Sequence, residues 1–290
     1  MSVVPSGSYA FPMLQLSEAQ IADFRRDGYL LVDKLTTPDE MAFIRSLYDP
    51  LFAERRGWEA GDQFDLVRRD DSGKELLLPQ LLWPSRYAPA LRTTQLYANA
   101  GSIARQLLGP KLQHFLEHAI NKPAFNGPAT PWHQDEAFRR RGSGFLESIS
   151  IWMPLQDATL ESGCMQYIRG SNHGPLYPHR SPGNDPSIHF LETVNPPDLT
   201  HCVAVPVPAG GAVIHHSRTL HAAGVNSSNQ PRRAYILGYT VKARRHRLFM
   251  RDYPWNLEKS TARDARELAA LPPLKRLVHR VRRLMRGQKF

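Results

Sequence analysis

Apolar positions recur at helical spacing near the start of the chain and at strand spacing later on. Ser17-Glu-Ala-Gln20 reads as a capping box, and Ile21 and Phe24 follow on one helical face. Gly28 should stop that helix, and Tyr29–Val32 forms a short apolar strand. Thr37 caps a second helix, with Pro38 at its first position and Asp39 and Glu40 in its first turn. Met41, Ile44, Leu47 and Leu51 continue its buried face. Residues 57–89 carry charge runs such as Arg68-Arg69-Asp70-Asp71 with little periodicity, and are expected to be loops. A short helix is expected over Gly101–Leu108.

From Leu112 the pattern changes. Short β-like runs (His114–Ile120, Ser148–Trp152, Met165–Ile168, Ala212–His216 and Ala234–Val241) alternate with clusters of Pro, Gly, Asn and Ser. Such punctuation predicts a β-sandwich or barrel. After about Arg244 the chain turns basic and helical again, and no internal repeat or low-complexity segment interrupts it.

A chain of 290 residues can build one large β domain with a sizeable core, and 41% hydrophobic with 22% charged residues is ordinary for a soluble protein. No apolar run is long enough for a transmembrane helix. The opening MSVVPSGSYAFPMLQ lacks a basic region followed by an apolar stretch, so a loose tail is expected rather than a secretory signal. Cys164 and Cys202 are the only cysteines and neither sits in a CxxC, which argues against a disulfide framework or thiolate metal site and for a cytoplasmic setting.

The net charge of +10 is concentrated at one end: Lys275, Arg276, Arg280, Arg282, Arg283, Arg286 and Lys289 follow Leu274 with no acid among them. That localisation, without interleaved aromatics to stack bases, argues against a nucleic-acid partner. Leu274, Leu277, Val278, Val281, Leu284 and Met285 form a helical stripe among those cations. It fits either a helix packed on the body or contact with an anionic membrane or a carrier protein.

The chemistry starts at Pro131-Trp-His133-Gln-Asp135. In a strand, His133 and Asp135 would share a face about 6.5–7 Å apart at Cα, so both can reach one ion. Taken alone, such a pair is usually an ordinary surface His beside an Asp. Further on, Gly210-Gly-Ala-Val-Ile-His-His-Ser-Arg-Thr-Leu-His221 reads as turn, strand and loop. Asn226-Ser-Ser-Asn-Gln-Pro231 is a turn cluster, and a strand opens at Arg232-Arg233. His215, His216 and His221 each offer a third ligand. Two imidazoles and a carboxylate on one face suit redox-active iron(II) and leave the opposite face open. A hairpin would bring His221 near Arg232, whose guanidinium could grip the distal carboxylate of a chelating keto acid. Strand alternation lets only one of Arg232 and Arg233 face inward.

These segments resemble the phytanoyl-CoA dioxygenase family of iron and 2-oxoglutarate oxygenases, from about Leu16 to Tyr239. The resemblance rests on LSEAQIADFRRDGYLLVDKLTTPDEM, INKPAFNGPATPWHQDEAF, IWMPLQDATLESGCMQYIRGSNHG and GGAVIHHSRTLHAAGVNSSNQPRRA. It implies a mainly β fold with flanking α, a double-stranded β-helix (jelly-roll, cupin-like) barrel with N-terminal helices. It further implies iron(II) on His133, Asp135 and His221, with 2-oxoglutarate held by Arg232 and flanked by Trp152 and His118. O2 would be the oxidant, and a small molecule the substrate. Two departures stand out. Ala223 occupies a position where members often carry Ser or Thr for the co-substrate carboxylate, and Asn172 is an extra residue before His173.

The expected organisation is therefore a tail over 1–15, an oxygenase domain over 16–245 and a basic helical extension over 246–290. The expected reaction is hydroxylation of an aliphatic C–H bond, with succinate and CO2 as co-products; desaturation and cyclisation are the other oxidations this ligand set allows. A carboxylate at Asp135 leaves no room for the halide that related halogenases bind. Gly57–Pro89 and Leu176–Asn195 are the expected lids, Gln134 and Phe138 the residues expected to face substrate, and Arg139-Arg140-Arg141 either a solvated loop or an attraction for an acidic substrate. The competing classes are a catalytically degenerate metal-binding member and a zinc hydrolase on the same ligands.

Overall fold

The computed structural model describes residues 13–68, 75–139, 145–195, 197–242, 253–257, 259 and 261–285. The first helix, α1 (Glu18–Asp27), has the capping box at Ser17 and Gln20, and ends at Gly28, whose φ of 81° only glycine adopts freely. Strand β1 (Tyr29–Val32) leads to α2 (Pro38–Ala53), capped by Thr37. Residues expected to be loops contain two short strands, β2 (Gln63–Asp65) and β3 (Pro79–Leu82). They escaped a periodicity reading because each is only three or four residues long and the polar Gln63, Asp65 and Gln80 are buried like their apolar neighbours; Arg69–Asp71 lie outside the described residues. Helix α3 (Gln95–Leu108) starts earlier than expected, with Thr94 as its cap.

The barrel follows: β4 (Gln113–Lys122), β5 (Thr130–His133), β6 (Phe145–Pro154), β7 (Met165–Ile168), β8 (His179–Arg180), β9 (Glu192–Thr193), β10 (Cys202–Val205), β11 (Ala212–His216), β12 (His221–Ala223) and β13 (Arg232–Lys242). A seven-stranded sheet runs β1-β11-β6-β13-β4-β3-β2, a four-stranded sheet runs β10-β7-β12-β5, and β8 and β9 pair separately. All ladders are antiparallel, and both larger sheets contribute side chains to one cavity, as in a jelly roll.

Strand alternation separates the two faces of the large sheet. Ile149, Ile151 and Met153 of β6, with Tyr235, Leu237 and Tyr239 of β13, pack against Met41, Ile44 and Tyr48 of α2 and Leu96 and Ile103 of α3. The intervening Trp152, Ala234 and Ile236 turn inward, toward Met165, Tyr167 and Ala223 of the small sheet. Met13–Gln15 belong with the body rather than a loose tail: the Leu14 amide donates to Asn99 Oδ1 at 3.1 Å, and the neighbouring Leu16 amide to Gln106 Oε1 at 2.7 Å. Residues 1–12 lie outside the described residues.

The C-terminal part forms α4 (Pro254–Leu257), α5 (Ala262–Ala270) and α6 (Pro273–Met285). Both cysteines are free. Among the described residues no helix is long and apolar enough to cross a membrane.

Candidate active site

The strand carrying His133 ends there. Gln134 remains extended, but Asp135 opens a short 3-10 turn, Asp135–Phe138, rather than continuing β5. One ligand atom from each of His133, Asp135 and His221 nonetheless lies within 4.8 Å of the others. His133 Nε2 is 3.8 Å and His221 Nε2 3.5 Å from Asp135 Oδ1. The other nitrogen of each ring is committed: Nδ1–H of His133 donates to the Pro131 carbonyl and that of His221 to the Thr219 carbonyl, both at 2.8 Å. Those bonds fix the tautomer that leaves Nε2 as a lone pair.

Burial, reinforced by His221, holds the His133 imidazole well below its ordinary value, so it is neutral. Burial alone would push the Asp135 carboxyl upward, but His221 and His215 outweigh it and hold it well below the usual carboxylate range. His215 is not one of the clustered three. Its Nε2 lies 3.2 Å from Asp135 Oδ2, its Nδ1 lies 3.1 Å from the Tyr167 hydroxyl, and Ser150 Oγ donates to the same Asp135 Oδ2 at 2.6 Å. Sequence reading missed Ser150 and Tyr167. The available signal was a serine at the inward-facing phase of β6, two residues before Trp152.

Beside these residues lies a cavity of about 410 Å³. Arg232 reaches it from β13, while His221 reaches it from β12 in the other sheet. The two are therefore not hairpin neighbours, as the turn cluster between them suggested; the chain crosses between sheets at Asn226, whose side-chain amide donates to the carbonyls of Lys122, Pro123 and Gln230. Arg233 faces the opposite way, donating to both carboxylate oxygens of Asp49 in α2 at 2.5 and 3.0 Å.

Arg232 is 2% exposed, yet no carboxylate pairs with it among the described residues, and its buried Nε has no partner. Nη1 donates to the Gly163 carbonyl at 2.5 Å and the guanidinium lies 5.1 Å from the Trp152 ring. Gly163 has a φ of 75°, and a side chain there would strike the Gly224 carbonyl at 2.3 Å. Burial pushes Arg232 down to about 10. Next to it on β4, Lys122 is wholly buried, donates to the Gly224 carbonyl at 2.5 Å, and is pushed down to about 6 by burial and then by Arg232.

Strand register orders the cavity. Trp152, Ile236 and His118 form one row across β6, β13 and β4, and Ser150 pairs with Gly238 one row further from Arg232. The Trp152–His118 row thus lies between Arg232 and the serine that holds Asp135. His118 lines the cavity and its Nδ1 is 2.9 Å from Gln80 Oε1. Ala223 lines it too, in register with Thr130 of β5.

Phe64, Phe115, Phe138 and Phe190 complete the walls. Phe138 faces the cavity as expected, but Gln134 does not: its side chain is buried against the carbonyls of Pro175 and Arg218 and the amide of Tyr177. Arg139 is no solvated loop residue. It lines the cavity, bonds Ser148 Oγ and sits 5.3 Å from the Phe115 ring; Arg140 and Arg141 lie outside the described residues. The C-terminal part also contributes, since Arg263 of α5 lines the cavity and donates to the Gly61 carbonyl at 2.8 Å. Nothing in the sequence linked that helix to the site.

The family model described as phytanoyl-CoA dioxygenase (PhyH) matches residues 24–234. Among solved structures, EvdO2 from Micromonospora carbonacea var. aurantiaca complexed with 2-oxoglutarate is 34% identical, with a TM-score of 0.67, covering 81% of this chain and 96% of that one. A probable alpha-ketoglutarate-dependent hypophosphite dioxygenase of Stutzerimonas stutzeri is 24% identical over 225 residues, 77% of this chain and 78% of that protein. L-proline trans-4-hydroxylase of Streptomyces griseoviridis is 32% identical over 154 residues, 47% of this chain and 58% of that protein.

Proposed function

Because the chain belongs to the phytanoyl-CoA dioxygenase family, we propose that it is an iron(II)- and 2-oxoglutarate-dependent dioxygenase that hydroxylates an aliphatic C–H bond of a small molecule, with succinate and CO2 as co-products. The observation that carries this reading is the convergence of His133, Asp135 and His221 within 4.8 Å, beside a cavity that also holds a buried guanidinium with no carboxylate partner among the described residues.

The donor set fits the metal. Two imidazoles and one carboxylate on one side of an ion suit ferrous iron and leave positions for a chelating ligand and O2. The second group also fits. Arg232 needs an acceptor that the described residues do not supply, and a short keto diacid would bring one carboxylate to it while its keto-acid end lay at the metal ligands. Trp152 and His118, in the row between, would flank that molecule. When bound, iron and 2-oxoglutarate would activate O2, with 2-oxoglutarate giving up two electrons as it becomes succinate and CO2, and so supply the means to break a C–H bond, which no side chain has.

The remaining work falls to the chain itself. Ser150 and His215 hold Asp135 with one oxygen toward the imidazoles. Phe64, Phe115, Phe138 and Phe190 present apolar walls that pack against a carbon skeleton and exclude water. Gln80 and Arg139 offer hydrogen bonds to polar groups of the substrate.

The test is an anaerobic titration of the metal-free protein with iron(II) and 2-oxoglutarate, following the visible metal-to-ligand charge-transfer band of a chelated keto acid. The band should appear, and be lost in His133→Ala and Asp135→Ala. Metal binding with no such band would overturn the reading.

A further inference from the structure

Helix α6 carries an uncovered apolar stripe. Leu274, Leu277, Val278 and Val281 are 74%, 60%, 43% and 47% exposed. Their i, i+3, i+4, i+7 spacing places them on one face. The sequence allowed a helix packed on the barrel through this face, but α6 does not use it so.

Nor is α6 a loose end. Arg276 Nε donates to the Leu271 carbonyl and Nη2 to the Ala269 carbonyl, both at 2.6 Å, which closes the corner with α5. Helix α5 is tied to the body in turn: Arg266 donates to the carbonyls of Trp58 at 3.0 Å and Gln63 at 3.1 Å. A held helix presenting a contiguous row of large apolar side chains marks an interaction surface.

Charge decides the partner. Lys275, Arg276, Arg280, Arg282, Arg283, Arg286 and Lys289 follow Leu274 with no acid among them. A second copy of this helix would set cation against cation. The partner must combine an apolar layer with negative charge at its surface, and a bilayer of anionic lipids has both. We propose that α6 docks the enzyme on an anionic membrane surface, lying in the headgroup plane with Leu274, Leu277, Val278 and Val281 turned into the acyl boundary. Its 13 residues are too few to span a bilayer, so the contact is peripheral.

The experiment is co-sedimentation of the full chain with phosphatidylcholine vesicles, with and without phosphatidylglycerol. The protein should pellet with the anionic vesicles only, and the bound fraction should fall as salt is raised. The double variant Leu277→Glu, Val281→Glu should remain in the supernatant, while its circular dichroism and its iron and 2-oxoglutarate titration stay as in the parent, because both positions are exposed. Failure of the parent to pellet would overturn the proposal, as would equal pelleting of the double variant. A dimer seen by light scattering, broken by the same substitutions and without lipid binding, would assign the stripe to a second copy instead.

Discussion

Ser150 and His215 stand opposite each other on β6 and β11 and close on the same carboxylate oxygen of Asp135, at 2.6 and 3.2 Å. The other oxygen is thereby left toward His221 and His133, at 3.5 and 3.8 Å. Asp135 sits in a turn rather than a strand, so its aim depends on this pair instead of on pleat geometry. Partners that orient a ligand typically set 10–100-fold of metal affinity. Ser150→Ala should weaken iron(II) binding by roughly tenfold and leave thermal unfolding of the metal-free protein nearly unchanged. Wild-type affinity in a competition titration would mean that His215 alone suffices.

Arg232 makes the opposite prediction for stability and for binding. Truncating a buried, hydrogen-bonded charge pair costs about 2–5 kcal/mol, or roughly 30-fold or more in affinity. Arg232→Gln should therefore lose at least that much affinity for 2-oxoglutarate. In the ligand-free protein, however, it removes a buried cation that has no carboxylate partner among the described residues, so the loss of stability should not exceed about 1 kcal/mol. Denaturant unfolding with and without 2-oxoglutarate reads both effects. A large loss in the ligand-free protein would make Arg232 a structural residue.

Ala223 brings no hydroxyl to the cavity, but Thr130, its partner across β12 and β5, also lines it. The missing donor can come from the neighbouring strand. Thr130→Val should weaken 2-oxoglutarate binding by roughly 2- to 13-fold, the worth of one hydrogen bond of about 0.5–1.5 kcal/mol. Adding Ala223→Ser should restore it. No rescue would leave the carboxylate to Arg232 alone.

Local chemistry made some of this legible in the sequence. Ser17, Thr37 and Gly28 announce helix ends because capping is a matter of nearest neighbours, and β6 and β13 announce themselves by alternating faces. The His133–Asp135 spacing survives the change from strand to turn because Gln134 stays extended. What depends on distant packing was hidden. Strands β2 and β3 are short, and their polar Gln63, Asp65 and Gln80 are buried by distant packing. His221 and Arg232 looked like hairpin neighbours and lie in different sheets. Gln134 is consumed by carbonyls 41 and 84 residues away. The C-terminal segment looked like an appendage, yet Trp255 and Asn256 donate to the Ala137 carbonyl at 3.0 and 2.8 Å, beside Phe138.

Histidines wholly or partly withdrawn from water should make the metal-free protein sensitive to acid. His118, His179 and His216 are each pushed down to about 4, first by burial. The unfolded chain takes up these protons near pH 6.5, whereas the folded chain resists until about pH 4. Between those values the unfolded state binds more protons, so stability falls as pH falls through that window, by up to about 1.4 kcal/mol per pH unit for each group. Melting temperature should drop from pH 7 to pH 4.5, and His216→Gln should flatten the slope. An unchanged slope would mean that other groups dominate acid unfolding.

Lys259 ties the C-terminal segment to the cavity wall. Its ammonium donates to three successive carbonyls, those of Ile188, His189 and Phe190, at 2.5, 3.0 and 2.7 Å. Phe190 packs edge-on against the His133 ring at 4.7 Å and against Phe138 at 5.6 Å, so this one side chain braces the wall beside a candidate metal ligand. Lys259→Met keeps the aliphatic stem and removes all three bonds. Hydrogen exchange should then quicken in residues 185–194, with little change in β6 or β13, which are central strands of the seven-stranded sheet. Iron and 2-oxoglutarate should still give their charge-transfer band, because His133, Asp135, His221 and Arg232 keep their own supports. Loss of the band would show that Phe190 positions His133 and does not merely line the substrate space. Unchanged exchange would show that the β8–β9 pairing holds the loop without the lysine.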